Sequence, residues 1–338
     1  MKPHGLRPLF LACVGLAGAC TGLNMQMVDR SVQRPSNIAV YFTVDTTRGE
    51  PVADLTPGDF QIFEDGRPVS LFESKQTILQ PEVVAAHYTL LLVDMSGSVA
   101  GSPDMQKVVS GAAAFSEKVG RYQRIAVFAF DGSPHVTQLV PFGGGSPEAT
   151  ARALMNYRPR DPSTNLNGAV VQAIKILEAQ MSQSTVPLRF GTLVVFTDGT
   201  DHAARVPHDT LLAALDKATV EIYAIAVGAE VTAREIREIG RNGTFMSKDP
   251  ADIQRGFQEM ATRIEGLSKR YYLLSYCSPA RAGAHVVEIE AHKGGRRGRL
   301  TYDFKADGFG PNCDPNQKPA FNVQRPRLRP LPQTKGGR

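Results

Sequence analysis

The run Tyr88-Thr89-Leu90-Leu91-Leu92-Val93, followed at once by Asp94-Met95-Ser96-Gly97-Ser98, decides the fold class. A short, nearly continuous apolar stretch closed by a polar loop with glycine reads as a strand buried on both faces, where alternation is not needed. Ser102-Pro103 then reads as an N-cap followed by a first-turn proline. Met105, Val108, Val109, Ala112, Phe115 and Val119 recur at helical spacing. The same succession repeats outward from this unit. Strands are expected at Arg124–Phe130, Gly191–Thr197 and Val220–Val227, and helices near 166–180, 207–218, 232–240 and 250–266. Strands alternating with helices of this length imply an α/β fold, a doubly wound, mostly parallel sheet covered on both faces, over about residues 87–267.

Period-two patterns flank this unit. Ile38, Val40, Phe42 and Val44 share one strand face, and Phe60 and Ile62 lead into the turn Glu64-Asp65-Gly66-Arg67, with Val69–Phe72 as the returning strand. Residues 37–80 are therefore a first β segment. Alternation resumes in Tyr271–Tyr276, in Val287, Ile289 and Ala291, and past Gly294-Gly295 in Leu300, Tyr302 and Phe304, a second segment at 271–305. The first strand of a doubly wound sheet begins, and its last helix ends, at the same edge, so both segments leave the α/β unit on one side. They are expected to pack as one small β-sandwich module with the α/β domain inserted; two separate modules are the alternative. Residues 21–36, polar and aperiodic, read as a tether, and 311–338, rich in Pro and Arg, as a disordered basic tail.

Residues 1–20, MKPHGLRPLFLACVGLAGAC, have a charged start, an apolar stretch and small residues before Cys20, the order of a signal peptide. The end of this segment resembles the bacterial lipobox, in which a peptidase cuts before a lipidated cysteine, although Ala17 stands where the commonest motif has Leu. Cutting at Cys13 would leave too short an apolar region. Thr21 in place of Asp implies, by the same resemblance, an outer-membrane lipoprotein of the bacterial cell envelope, held by acyl chains. With Cys20 lipidated, Cys277 and Cys313 remain in an oxidising compartment and are expected to form a disulfide, free thiols being the alternative. No spacing suited to zinc occurs.

The chain has 338 residues, 42% of them hydrophobic and 21% charged, which fits about two globular domains and excludes a wholly disordered, collagenous or multi-spanning protein. Its net charge of +5 is not a nucleic-acid footprint. Residues 311–338 carry a net +5 and residues 1–20 a net +2, leaving −2 on the remainder. Nucleic acid is thereby set aside as a partner.

Asp94, Ser96 and Ser98 stand on the loop after the first α/β strand, at the carboxyl edge where doubly wound folds bind ligands. Thr164, ahead of a helix, and Asp198, ending a later strand, belong to loops at the same edge. A set made only of oxygens suits a hard divalent cation such as Mg²⁺, Ca²⁺ or Mn²⁺. Asp131 and Asp201 read as turn residues and His202 as a solvated loop residue.

These residues resemble the von Willebrand factor type A domain and its metal-ion-dependent adhesion site. The family's Asp-x-Ser-x-Ser is met by Asp94, Ser96 and Ser98, its loop threonine by Thr164 and its Asp-Gly by Asp198-Gly199, while Ser163 stands where the family usually has Gly. Val52–Thr56 and Asp59–Gly66 are similar to the N-terminal β region of exported bacterial proteins with this domain. The resemblance implies a cation, Mg²⁺ foremost, held mainly by hydroxyls, with an open position for the Asp or Glu of an envelope or extracellular protein. A non-adhesive scaffold with an unused metal site is the competing reading. A Mg²⁺-dependent aspartyl phosphatase would need an acid at position 96, where Ser96 stands. The Gly-x-Ser-x-Gly of serine hydrolases and the Gly-x-Gly-x-x-Gly of dinucleotide folds are also missing from this loop.

Overall fold

The computed structural model describes residues 22–321; the expected signal peptide with Cys20 and the end of the basic tail lie outside the described residues. Strand β1 (Leu23–Gln33) turns back into β2 (Asn37–Thr46), and the two pair antiparallel from Leu23 opposite Thr46 to Gln33 opposite Asn37. The tether expected at 21–36 is thus corrected to a strand. Its sequence, LNMQMVDRSVQ, has no clean alternation because it is a sheet-edge strand with a bulge between Met27 and Asp29, which shifts the face of every later residue. After β3 (Phe60–Glu64), the returning strand β4 is only Arg67–Pro68, followed by a run of turns that leaves Phe72 exposed, in place of a strand over Val69–Phe72. Strand β5 (Thr77–Leu79) closes this segment.

The α/β unit opens with β6 (Ala85–Asp94) and a single helical turn, α1 (Gly97–Ala100). Helix α2 (Met105–Gly120) starts later than Ser102-Pro103, because that pair shapes an intervening turn in which Ser102 Oγ accepts the Asp104 N–H at 3.0 Å. There follow β7 (Arg124–Phe130), β8 (Thr137–Val140), α3 (Pro147–Asn156), α4 (Leu166–Ser182), β9 (Leu188–Thr197), α5 (His208–Lys217), β10 (Glu221–Val227), α6 (Ala233–Ile239), β11 (Gly243–Ser247) and α7 (Ile253–Lys269). The strand order β11-β10-β9-β6-β7-β8 is parallel except for β8. Two apolar layers sandwich the sheet. Leu90, Leu92, Val195 and Ile222 face α4 and α5; Leu91, Val93, Val194 and Ile225 face α2 and α7, whose Phe257, Met260, Ile264 and Leu267 recur every three or four residues.

The chain then returns to the first segment through β12 (Tyr271–Cys277), β13 (Ala284–Lys293) and β14 (Arg296–Lys305). These strands complete two four-stranded sheets, β1-β2-β12-β5 and β14-β13-β3-β4, and each sheet mixes strands from both ends of the chain. One apolar core, including Ile38, Val40, Phe42, Ile62, Leu274 and Ile289, lies between them. The flanking segments therefore form one sandwich with the α/β unit inserted. All ten residues of β2 are buried, because its second face, through Ala39 and Tyr41, packs on Val84, Ala85 and Leu188 at the base of the α/β unit.

Cys277 and Cys313 are bonded. The disordered tail expected from 311 is corrected accordingly up to Phe321. Ser275 Oγ donates to the Pro315 carbonyl at 2.7 Å, and Phe321 is buried beside Tyr41 and Tyr271. Its Pro-rich composition hid a docked strap held by one covalent link and one aromatic anchor.

Candidate metal centre

The chain order places the first α/β strand, β6, in mid-sheet, with β7 built on one side and β9 on the other. Loops after β6 and β9 therefore diverge and open a crevice at the carboxyl edge. The register sets Val93 opposite Phe196, which brings Thr197 beside Asp94. Thr197 Oγ1 donates to Asp94 Oδ2 at 2.7 Å, and the Ser96 N–H donates to Asp94 Oδ1 at 3.0 Å. Ser96 Oγ and Ser98 Oγ are 3.2 Å apart, and Ser98 Oγ donates to Asp198 Oδ1 at 3.1 Å. Thr164, buried on the loop before α4, lines the same cavity as Ser98 and Asp198. All five residues expected from the sequence thus gather at one edge.

Matching against protein families finds the von Willebrand factor type A domain over residues 90–259. The chain belongs to this family. Among solved structures, a von Willebrand factor type A protein from Catenulispora acidiphila is 14% identical with a TM-score of 0.45, over 84% of this chain and 73% of its own. Proximal thread matrix protein 1 of the mussel byssus, solved with a zinc-occupied MIDAS motif, is 15% identical with a TM-score of 0.42, over 60% of this chain and 49% of its own. Manganese-loaded TRAP protein of Plasmodium vivax is 14% identical with a TM-score of 0.44, over 70% of this chain and 98% of its own. This chain spans about half the length of the mussel protein. No curated protein matches it in sequence.

The electrostatics of this VWA edge fit a cation. Asp94 is wholly buried, and burial together with the neighbouring Asp198 pushes its carboxyl up to about 7. Burial also raises Asp198, against the Ser98 hydroxyl that lowers it. Neither carboxylate has a Lys or Arg partner among the ion pairs of the described residues, so the charge of a hard cation would supply the missing balance. Among the described residues no group of three or more His, Cys, Asp and Glu could hold a metal; the donor set here is two carboxylates with three hydroxyls.

Neighbouring loops hold these residues in place. Gly97 N–H donates to the Pro162 carbonyl at 2.8 Å, and a Cβ at Gly97 would lie 2.9 Å from Pro162 Cβ, so only glycine lets the two loops meet. A Cβ at Gly228 would lie 2.2 Å from the Asp198 carbonyl oxygen, which fixes the end of β10 against the Asp198 loop. Ser163, in the family's glycine position, donates its N–H to Asp161 Oδ1 at 3.0 Å, and Asp161 pairs with Arg205 at 2.8 Å.

Two positioning residues escaped sequence reasoning. Thr197 orients Asp94, and the signal for it was its place immediately before Asp198. Asp131, read as a turn residue, accepts from the Ser133 N–H at 2.7 Å, the Arg160 N–H at 2.7 Å and the Tyr157 hydroxyl at 2.9 Å. It thereby ties the β7 loop to the segment leading into Thr164, and nothing in its local sequence marks this. His202 pairs with Glu230 at 3.2 Å on the rim, consistent with a solvated loop residue.

Proposed function

We propose that this chain is an exported, lipid-anchored envelope protein whose VWA domain holds a partner protein through an Asp or Glu side chain at a divalent cation. The observation that carries this reading is the hydrogen-bonded series Thr197–Asp94–Ser96–Ser98–Asp198 at the crevice of the sheet, in which neither carboxylate has a Lys or Arg ion pair among the described residues. Asp94, Ser96, Ser98, Thr164 and Asp198 would hold the ion, with Mg²⁺ the best fit to an all-oxygen set and Ca²⁺ or Mn²⁺ also suited. Once bound, the ion supplies an open coordination position for an anionic oxygen. Ser98 is exposed at the mouth of the crevice beside the half-buried Asp198, whereas Asp94 and Ser96 are buried beneath it, so one of the two carboxylates is withdrawn from an approaching acid. This ordering limits like-charge repulsion against the partner.

A binding role agrees with the hydroxyl at position 96, which cannot serve as the general acid of an aspartyl phosphatase. The bonded cysteine pair agrees with an oxidising compartment. The described chain begins in the sandwich, at the base of the α/β unit, and the ten residues of β6 separate that base from the metal edge by about 30 Å. A lipid on Cys20 would therefore leave the metal edge facing away from the membrane.

The test is capture from an envelope extract by wild type and Asp94→Ala, with and without chelator, alongside the mass of the mature N-terminus. Capture that requires both the cation and Asp94 supports the reading. Capture indifferent to both replaces it with the scaffold, and an unmodified Cys20 removes the lipid anchor.

A further inference from the structure

A cavity of about 420 Å³ opens at the metal edge. Ser98, Thr164 and Asp198 form part of its wall, so it is continuous with the proposed cation site. Its deeper wall is different in kind: Val99, Met105, Val108, Phe196, Val227 and Ile253, contributed by α1, α2, the sheet and the start of α7. The volume lies within the about 300–1,000 Å³ typical of preformed small-ligand pockets, and apolar walls with a few convergent polar groups are the usual composition of such sites.

The charged residues near its mouth are already engaged. Asp104 pairs with Lys107 at 2.7 Å and Glu230 with His202 at 3.2 Å, so the cavity offers no free basic group to a second anion. Its volume and apolar wall suit an uncharged, bulky side chain. A carboxylate alone would leave the apolar wall unused, whereas an acidic residue beside a large apolar residue would engage the polar and apolar parts together.

Resting on the reading of the metal site above, we propose that this cavity is the apolar half of a two-part recognition site. The partner segment it selects carries an Asp or Glu directly next to a bulky aliphatic or aromatic residue, whose side chain enters between α2 and α7. The acid gives the contact its metal dependence, and the apolar neighbour distinguishes this partner from other acidic surfaces.

The test uses the full chain with Mg²⁺, labelled at its methionine methyls, and three capped tripeptides: Leu-Asp-Leu, Gly-Asp-Gly and Leu-Asn-Leu. The Met105 methyl, assigned with Met105→Leu, reports on the cavity wall. The Leu-Asp-Leu peptide is expected to shift that methyl and to bind about tenfold more tightly than Gly-Asp-Gly, equivalent to about 1.4 kcal/mol. Ala229→Phe, at an exposed position lining the cavity, is expected to abolish that tenfold preference while leaving Gly-Asp-Gly binding unchanged. Equal affinity of the two Asp peptides, or a preference that survives Ala229→Phe, overturns the apolar subsite and leaves the metal reading standing. Leu-Asn-Leu binding as tightly as Leu-Asp-Leu, or binding that survives chelation, overturns the metal reading and the coupled site with it. Binding of neither Asp peptide overturns both.

Discussion

The α/β domain and the sandwich both bury polar side chains, but they dispose of them differently. In the sandwich, Glu64 accepts from the Tyr276 hydroxyl at 2.9 Å and the Ser278 hydroxyl at 3.0 Å, deep between two sheets. Burial raises Glu64 there, against the two hydroxyls that lower it. In the α/β domain, Asp94, Ser96 and Asp198 sit where two loops diverge, and their hydrogen bonds lead out to the exposed Ser98. Buried polarity thus marks a structural role where its partners enclose it and a binding role where it opens on a crevice. Changes in the sandwich should therefore cost stability without altering metal response, and changes at the metal edge should do the reverse.

The largest expected effect tests how far the two regions are separate. Arg270, buried between α7 and β12, bonds Asp45 of the sandwich at 3.4 Å and lies 3.9 Å from Glu221 of the α/β domain. Arg270→Ala strands Asp45 in a buried setting and should cost about 3–5 kcal/mol in urea unfolding. Adding Asp45→Ala should recover much of that loss; no recovery would mean that Arg270 acts through packing alone. Next is the Cys277–Cys313 bond, with a sequence separation of 36 residues. Replacing both with Ser should destabilise the sandwich by roughly 2–4 kcal/mol. Thermal unfolding should show the loss with Mg²⁺ affinity unchanged, and a matching loss of affinity would erase the distinction between the regions.

At the metal edge the expected signature has two sides. With Mg²⁺ near 100 times its dissociation constant, wild type should gain about 2.7 kcal/mol. Asp94→Asn should remove that gain and at the same time raise the melting temperature of the metal-free protein, because it deletes a buried carboxylate whose charge both burial and Asp198 disfavour. A variant that falls in both measurements would make Asp94 a structural residue like Glu64. Ser98→Ala, exposed and filling no core volume, should lose metal response at unchanged metal-free stability, and Thr164→Ala should show a milder version of the same loss.

The smallest effect concerns pH in the sandwich. The Ala282 carbonyl and Asp65, the latter 2.7 Å from His285 Nδ1, raise His285 above its ordinary 6.5. A raised histidine adds stability below its unfolded value and loses that contribution as pH climbs through its folded value. Because the buried Asp94 and His87 also shift stability with pH, and do so equally in both proteins, the test is the difference in unfolding free energy. Wild type relative to His285→Gln should lose a little stability between about pH 5.5 and about pH 8.5, with no change in metal response, and a difference that grows with pH would reject the assignment.

The α/β domain was the more legible of the two regions. Its strands, covered on both faces, read as unbroken apolar runs, and its helices repeat at three and four residues, so local sequence carries the element type. β8, α3 and β11 escaped notice: β8 has four residues and β11 five, and α3 buries only Thr150 and Leu154. In the sandwich, β14 alternates cleanly because one face meets the core, whereas β1 slips face at its bulge and was read as a tether. Asp131 was undervalued because its three donors come from residues up to 29 positions away.

By itself the sequence determined the α/β class, the family, the five residues that gather at the crevice and the pairing of the cysteines, since each rests on a short local pattern or a small set of candidates. Tertiary structure alone decided that Thr197 faces Asp94, that Phe321 packs beside Tyr41 on the second face of β2, and that a cavity with one apolar wall includes Ser98, Thr164 and Asp198. Those facts depend on strand register and on which loops diverge, and both are fixed by contacts between residues far apart in the chain, which no local spacing encodes.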